Sequence, residues 1–240
     1  MLPTQTTHSK VIVALDYADA VSALAMVNQL DPSLCRLKVG KELFTASGPQ
    51  FIDQLIAKKY DVFLDLKFHD IPNTVAKACE AAAKLGVWML NVHASGGLDM
   101  MLAAKRGVNQ SGHQPLLIAV TVLTSANQHM LESIGVTCSL EQQVLRLASL
   151  TQLAGLDGVV CSALELKILR EYLPREFCLV TPGIRLENVN HDDQNRVVSP
   201  RNAIQMGSDY LVIGRPITQA ANPIKVLMEI NQDLANFGIV

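Results

Sequence analysis

A dense patch of charged residues occupies positions 65–74, where the sequence reads DLKFHDIPNT. Asp65 and Lys67 stand two positions apart at the end of an apolar run, and residues at that spacing in a strand point to the same face. A carboxylate that points into a protein interior is costly unless it is paired. We therefore expect Asp65 to pair with Lys67 and with Lys38, which ends another run. Asp70 follows in the next loop and would complete an array of alternating sign that can stay ionised.

Clusters of interacting ionised groups are typical of functional sites, where fixed charges act on a bound molecule. The alternative is an ion-pair network that has only a structural role and closes one end of the fold. The residues of the patch alone leave both interpretations open.

Two later segments have the features of a phosphate-binding site. Residues 181–185 (TPGIR) and 214–216 (GRP) end the last two apolar runs. Gly214 allows a ligand to approach its backbone N–H, and Arg215 can bind two phosphate oxygens at once. The alternative is an ordinary turn with a solvated arginine. The polar loop over 186–195 is long enough to act as a lid.

Eight short apolar runs must position these residues. They are rich in Val, Leu and Ile and are continuous rather than alternating, which is typical of parallel strands buried on both faces. Their starts lie 19 to 42 residues apart, a spacing that leaves room for a helix after each strand, as in βαβ units. The predicted strands are residues 10–16, 36–40, 61–67, 88–93, 116–123, 158–162, 177–183 and 210–215.

This pattern predicts an α/β fold, a (β/α)8 TIM barrel of parallel strands with outer helices, in which chemistry lies at the C-terminal strand ends. A doubly wound sheet is the alternative, but the first run ends in ALDY, without the glycine-rich turn typical of that fold. Residues 31–33 are expected to end the first helix, and Pro72 and Pro200 to begin later helices. No linker-like stretch interrupts the chain, so residues 1–240 are expected to form a single TIM-barrel domain.

The composition argues against several classes of partner. The 240 residues include 20 Lys and Arg against 22 Asp and Glu, a net charge of −2, whereas proteins that bind nucleic acid or membrane surfaces are usually basic. No stretch of about 20 apolar residues is present for a membrane helix, and the N-terminus lacks a signal-peptide pattern. The five cysteines have no CxxC spacing. We therefore expect reduced thiols, no metal site and a cytoplasmic location.

Several other residues are given structural interpretations. His93 ends a strand and is as consistent with orienting a neighbour as with touching a ligand. Met100 and Met101 are expected in the core, and Asp192 and Asp193 in a solvated stretch rather than a metal site. No Ser/His/Asp or Cys/His nucleophile arrangement is visible.

Motifs along nearly the whole chain match one enzyme family. The most specific is D-x-K-x-x-D within residues 65–74. The others are VALD (13–16), LKVG (37–40), NVH (91–93), VTVLTS (120–125), DGVVCS (157–162), VTPGIR (180–185), DDQ (192–194) with Arg196, and VIGRP (212–216). By these motifs the sequence resembles the orotidine 5′-phosphate decarboxylase family in its bacterial form.

The resemblance implies decarboxylation of orotidine 5′-phosphate to UMP and CO2 in de novo pyrimidine biosynthesis, with no cofactor. Lys67 would protonate C6 of the pyrimidine, flanked by Asp65 and Asp70, with Lys38 completing the array. It also implies a homodimer in which Asp70, Ile71 and Thr74 reach into the partner's site. The remaining implied contacts are Asp16 and Lys38 to the ribose, Thr124 and Ser125 to the pyrimidine, and Arg185, Gln194, Gly214 and Arg215 to the phosphate.

Two rival functions remain at this stage. A related barrel decarboxylase or aldolase acting on a sugar phosphate shares the D-x-K-x-x-D element, but resembles a magnesium enzyme with an acidic ligand at the end of the second strand. This chain has Lys38 there. The other rival is a non-catalytic barrel that binds a phosphorylated ligand, which would have no use for the charged array.

Overall fold

A computed structural model describes residues 9–186 and 198–236 of the chain. Eight parallel strands form a closed barrel in chain order, and β8 pairs with β1. The predicted (β/α)8 barrel is therefore confirmed, and the doubly wound alternative is excluded. The strands are β1 (Val11–Leu15), β2 (Arg36–Gly40), β3 (Val62–Phe68), β4 (Met89–His93), β5 (Leu116–Val120), β6 (Gly158–Val160), β7 (Cys178–Thr181) and β8 (Tyr210–Ile213).

Helices follow the strands and cover the outside of the barrel. No helix within residues 9–186 and 198–236 is long and apolar enough to cross a membrane. The helices are α1 (Ala20–Val27), α2 (Lys41–Ser47), α3 (Pro49–Ala57), α4 (Pro72–Lys84), α5 (Gly97–Gln110), α6 (Gln128–Ser133), α7 (Leu140–Leu153), α8 (Leu166–Tyr172), α9 (Pro200–Gln205), α10 (Arg215–Thr218) and α11 (Pro223–Asn236).

The predicted element ends are correct at some positions and wrong at others. Pro72 begins α4 and Pro200 begins α9, where the side chain of Ser199 accepts a hydrogen bond from the backbone N–H of Asn202 at 3.3 Å. The first helix ends at Val27, earlier than predicted, because the chain turns there before residues 31–33. The fifth strand ends at Val120 rather than at residue 123, since an apolar run does not show where the chain leaves the sheet.

Each strand is buried on both faces. The outward side chains of β1, including Val13 and Leu15, join the large core between barrel and helices, whereas Ile12 and Ala14 join a smaller core inside the barrel. The alternation continues to the C-terminal end of the strand, where Asp16 follows on the inner side. The same geometry that buries apolar residues thus carries polar ones to the mouth of the barrel.

The N-terminal end of the barrel is closed by a buried cation. The guanidinium of Arg36 lies 4.3 Å from the ring centre of Trp88 and 5.1 Å from that of Tyr210. It also pairs with Asp61 at 3.3 Å and donates to the backbone carbonyl of Ser9. Stacking on aromatic rings and a carboxylate partner compensate the buried charge.

The helices behind β3 and β4 pack closely enough to require glycine. Gly107 of α5 is buried against α4, and a Cβ there would overlap the carbonyl oxygen of Ala76 and lie 2.8 Å from its carbonyl carbon. The backbones of the two helices therefore meet directly behind the strands that carry the charged residues.

We predict that Gly107→Ala destabilises the protein by roughly 1–3 kcal/mol, because overpacking forces α4 and α5 apart. In an exposed helix the same change would stabilise by about 1 kcal/mol. The measurement is urea unfolding at fixed protein concentration, with Asn109→Ala on the exposed face of α5 as the matched control. A Gly107→Ala variant as stable as the control would contradict this packing.

Candidate active site

A cavity of about 340 Å³ opens at the C-terminal ends of the strands. Its walls come from the ends of β1, β2, β3, β5, β6 and β8 and from the loops after β5, β7 and β8. The residues predicted from the sequence that line it are Asp16, Lys38, Asp65, Lys67, Thr124, Arg185, Gly214 and Arg215.

Four of these residues form a chain of ion pairs along one wall. Lys67 Nζ lies 2.6 Å from Asp65 Oδ1, and Lys38 Nζ lies 3.5 Å from Asp65 Oδ2. Lys38 Nζ also lies 3.3 Å from Asp16 Oδ1. The exposed side-chain fraction is 11% for Lys38, 12% for Asp65 and 27% for Lys67. The carboxylate of Asp65 is thus held between two ammonium groups, and Lys67 is the more accessible of the two.

The electrostatic surroundings keep Asp65 ionised. Burial alone would raise the pKa of Asp65, but the charges of Lys38 and Lys67 and the hydrogen bonds from Lys67 and Asn91 outweigh it, so the net shift is downward. A carboxylate surrounded in this way remains an anion at neutral pH. It therefore places a fixed negative charge beside the two ammonium groups.

The strand that carries this pair is irregular. In the pairing of β3 with β4, Leu64 lies opposite Leu90, and Phe68 lies opposite Val92. Residues 65–67 of β3 therefore lie opposite a single residue of β4. Lys67 has φ of +51°, a left-handed conformation that costs on the order of 1–3 kcal/mol for a non-glycine residue. Asp65 and Lys67 do meet, but through a bulge that re-aims Lys67 and not through simple alternation along a regular strand.

The sequence analysis did not identify Asn91 as a site residue. It is fully buried in β4, opposite the bulge. Its Nδ2 donates to Asp65 Oδ1 at 2.7 Å, and its Oδ1 accepts from the backbone N–H of Lys67 at 2.8 Å. The signals in the sequence are a polar residue inside the apolar run that forms β4 and its place in the NVH motif.

The rest of the cavity lining is partly apolar and partly cationic. Phe63, Val160 and Val212 come from β3, β6 and β8 and contribute apolar surface. Arg185 and Arg215 follow β7 and β8. The cavity therefore combines the lysine–carboxylate wall with apolar surface and two arginines, which suits a ring-bearing molecule with an anionic group.

The remaining predicted residues lie elsewhere. Asp70 and Ile71 are exposed between β3 and α4, and Thr74 is exposed in the first turn of α4. Asp70 Oδ1 accepts a hydrogen bond from the backbone N–H of Ile71 at 2.6 Å. Ser125 is exposed next to Thr124 and does not line the cavity. Gln194 and most of the predicted lid, residues 187–195, lie outside the described residues.

His93 ends β4 beside the array. Its ring centre is 5.6 Å from that of His69. Burial lowers the pKa of His93 to about 4, and the nearby cations of Lys41 and Lys67 and the His69 ring act in the same direction, against Asp65. A neutral imidazole at neutral pH adds no further positive charge next to Lys67.

One of the structural interpretations can be checked. Met100 and Met101 are buried in the core, as predicted. Asp192 and Asp193 lie outside the described residues. Among residues 9–186 and 198–236, no group of three or more His, Cys, Asp and Glu side chains is arranged to hold a metal ion.

A closed barrel with a lysine held against a buried carboxylate at its mouth is a (β/α)8-barrel protein of the class whose enzymes carry their active sites at this end of the strands. Sequence comparison agrees with this class, since the sequence profile of the Orotidine 5′-phosphate decarboxylase / HUMPS family matches residues 9–230. The chain belongs to this family.

Individual relatives are similar over nearly their full lengths. The orotidine 5′-phosphate decarboxylase of Tolumonas auensis is 61% identical over 95% of this chain and 100% of its own. That of Haemophilus influenzae is 62% identical over 93% and 97%. The crystal structure of orotidine 5′-phosphate decarboxylase from Lactobacillus acidophilus superimposes with a TM-score of 0.85 at 39% identity, covering 94% of this chain and 98% of that chain.

We predict that His93 makes the protein less stable as pH falls from about 6.5 to about 4. In this window the unfolded chain binds a proton on His93 and the folded chain does not, so acid favours unfolding. The free energy of unfolding of His93→Gln should therefore fall less steeply over this window than that of the wild type. The exposed His113 provides the control, as His113→Gln should follow the wild type. Parallel profiles for His93→Gln and wild type would show that this shift is absent.

Proposed function

We propose that this chain catalyses the decarboxylation of orotidine 5′-phosphate to UMP and CO2. The observation that carries the proposal is the Lys67 ammonium, 2.6 Å from a buried carboxylate, in a cavity with Arg185 and Arg215 in its lining. Membership of the family supports the choice of substrate. In this reading the arginines bind the phosphate and the lysine faces the reacting carbon of the pyrimidine.

The reaction breaks the bond between C6 and its carboxylate, and the electron pair stays on C6 as CO2 leaves. The resulting carbanion has no ring position that delocalises it, so it must be stabilised by nearby charge. The ammonium of Lys67 supplies that charge in a site shielded from water and then transfers a proton from Nζ to C6. Lys67 regains its proton from solvent after UMP leaves.

Asp65 and Lys38 prepare the site for this step. Asp65 holds the Lys67 ammonium in place at 2.6 Å, and Lys38 at 3.5 Å also balances the charge of Asp65. A carboxylate at this position also repels the carboxylate of the substrate, and that repulsion disappears as CO2 departs. No cofactor is needed in this scheme, because every charge comes from the chain.

The other proposed site residues contact the ribose, the pyrimidine and the phosphate of the substrate. Asp16 and Lys38 bind the ribose, and Thr124 with its neighbour Ser125 binds the pyrimidine. Binding energy from the phosphate end orders the site and closes the loops around it, so a remote contact contributes to the rate. The phosphate is held by Arg185, Gln194, Gly214 and Arg215.

The working enzyme is, in this proposal, a homodimer. Asp70, Ile71 and Thr74 are all exposed just after β3, at and before the start of α4, and Ile71 is 67% exposed. Asp70 of the partner subunit would complete the array next to Lys67. Residues 1–240 form one TIM-barrel domain in this scheme. The five free cysteines are typical of a protein in the reducing cytoplasm, where de novo pyrimidine synthesis would use it.

We predict that Lys67→Ala lowers kcat by roughly 10⁴-fold or more, since it removes both the stabilising charge and the proton donor. The decrease in ultraviolet absorbance of orotidine 5′-phosphate, with no added cofactor, measures the rate. Lys77→Ala is the matched control, because Lys77 is an exposed lysine of α4 outside the cavity. Wild-type rates in the Lys67→Ala variant would disprove its assigned role.

The same assay separates the rival functions. The wild type should keep full activity in EDTA, whereas a sugar-phosphate enzyme of the magnesium-dependent kind would lose it. A non-catalytic barrel would bind UMP but release no product from orotidine 5′-phosphate in either the wild type or the variant. Absence of turnover by the wild type would reject the proposed function.

We predict that Asp70 acts across the dimer. Asp70→Ala and Lys67→Ala homodimers should each be nearly inactive, but a heterodimer with one chain of each kind contains one intact site. It should recover about half of the wild-type activity per dimer. Differently tagged chains allow its purification. The control pairs Lys67→Ala with Lys38→Ala, which line the same cavity of one chain and leave no intact site. An inactive Asp70/Lys67 heterodimer would mean that Asp70 does not act in trans.

A further inference from the structure

We propose that Asn91 is a positioning residue for the reaction, which holds the carboxylate of Asp65 and the backbone of Lys67 in one fixed arrangement. The inference rests on the proposed function, because it assigns the pair a reaction to perform. Asn91 does not line the cavity and is completely buried, so its effect must pass through its two neighbours.

The amide of Asn91 bonds to both members of the pair at once. Its Nδ2 donates to Asp65 Oδ1 at 2.7 Å. The same oxygen accepts a hydrogen bond from Lys67 Nζ at 2.6 Å. Its Oδ1 accepts from the backbone N–H of Lys67 at 2.8 Å. An amide side chain carries both a donor and an acceptor, whereas an ionised carboxylate only accepts and an apolar side chain does neither.

The position of Asn91 in the sheet explains why this link is needed. Asn91 is the one residue of β4 between the pairs Leu64–Leu90 and Phe68–Val92, where β3 bulges. At the bulge the β3 backbone loses its regular hydrogen bonds to the neighbouring strand. The side chain of Asn91 replaces one of them by accepting a hydrogen bond from the backbone N–H of Lys67. That bond holds Lys67 at φ of +51°, which directs its Nζ back to Asp65.

The surroundings of Asn91 make its substitution by aspartate informative. Asp65 and Lys67 of β3 face it, Lys38 of β2 lies on the far side of Asp65, and His93 follows on its own strand. The residue inside the barrel on β5 is the apolar Ile118. A carboxyl group in place of the amide would therefore meet the Asp65 carboxylate directly, and two carboxylates in contact do not both ionise readily.

The experiment compares Asn91→Asp, Asn91→Ala and wild type for kcat, KM and UMP binding between pH 5.5 and 8. At high pH we expect kcat of both variants to fall about 10–100-fold, the size of effect seen when a residue that orients a functional group is lost. Because the residues that bind the substrate remain, UMP affinity should stay within about fivefold of wild type. Asn109→Ala, exposed on α5, is the control and should match the wild type.

The pH dependence gives the decisive readout. A protonated carboxyl group again has one donor and one acceptor, so it can reproduce both bonds of the amide. The kcat of Asn91→Asp relative to wild type should therefore recover by about tenfold as pH falls, while Asn91→Ala shows no recovery. A merely structural role predicts a ratio that does not depend on pH.

The outcomes separate this inference from the proposed function. A wild type without orotidine 5′-phosphate decarboxylase activity rejects the function itself. An active wild type with variants that keep its kcat overturns only the role of Asn91. Variants that do not fold, or that lose UMP binding together with kcat, overturn it as well, since Asn91 would then serve the fold and not the alignment of the pair.

Discussion

The negative charge of Asp65 lies inside the barrel, where water cannot solvate it, and the rest of the site is arranged around its compensation. Two ammonium groups and one amide converge on the carboxylate, and they come from three adjacent strands, β2, β3 and β4. Removing any one of them would leave the buried carboxylate less completely compensated, which destabilises the folded state. The barrel must therefore close in a fixed register for the array to exist, and fold and site are specified together.

The barrel interior changes in character along its axis. At the N-terminal end, a guanidinium is stacked between aromatic rings, and apolar side chains such as Phe63 fill the middle. A second group of charged side chains lies towards the mouth, where the strand ends leave room for a ligand. This gradient lets one set of strands provide both a rigid core and a polar site. The packing around Lys67 compensates for the free-energy cost of its left-handed backbone conformation.

The sequence was sufficient to predict the barrel and most of the cavity, because strand order and strand-end position follow from hydrophobic runs. Asp16, Lys38 and Asp65 meet for that reason, whereas Lys67 reaches Asp65 through the bulge in β3. Asn91 could not be predicted as a partner, since its role depends on a shift in register between β3 and β4 that no local pattern encodes. The position of Asp70 relative to the array depends on a second chain, and one sequence does not specify how two surfaces meet.

The buried Arg36 lies at the end of the barrel opposite the cavity, so it affects how molecules can enter and leave the site. Its guanidinium, the rings of Trp88 and Tyr210 and the carboxylate of Asp61 stop the N-terminal end. Among residues 9–186 and 198–236 these side chains fill the N-terminal end of the axis, so in the proposed reaction the small product and the nucleotide would share one opening, the mouth of the barrel.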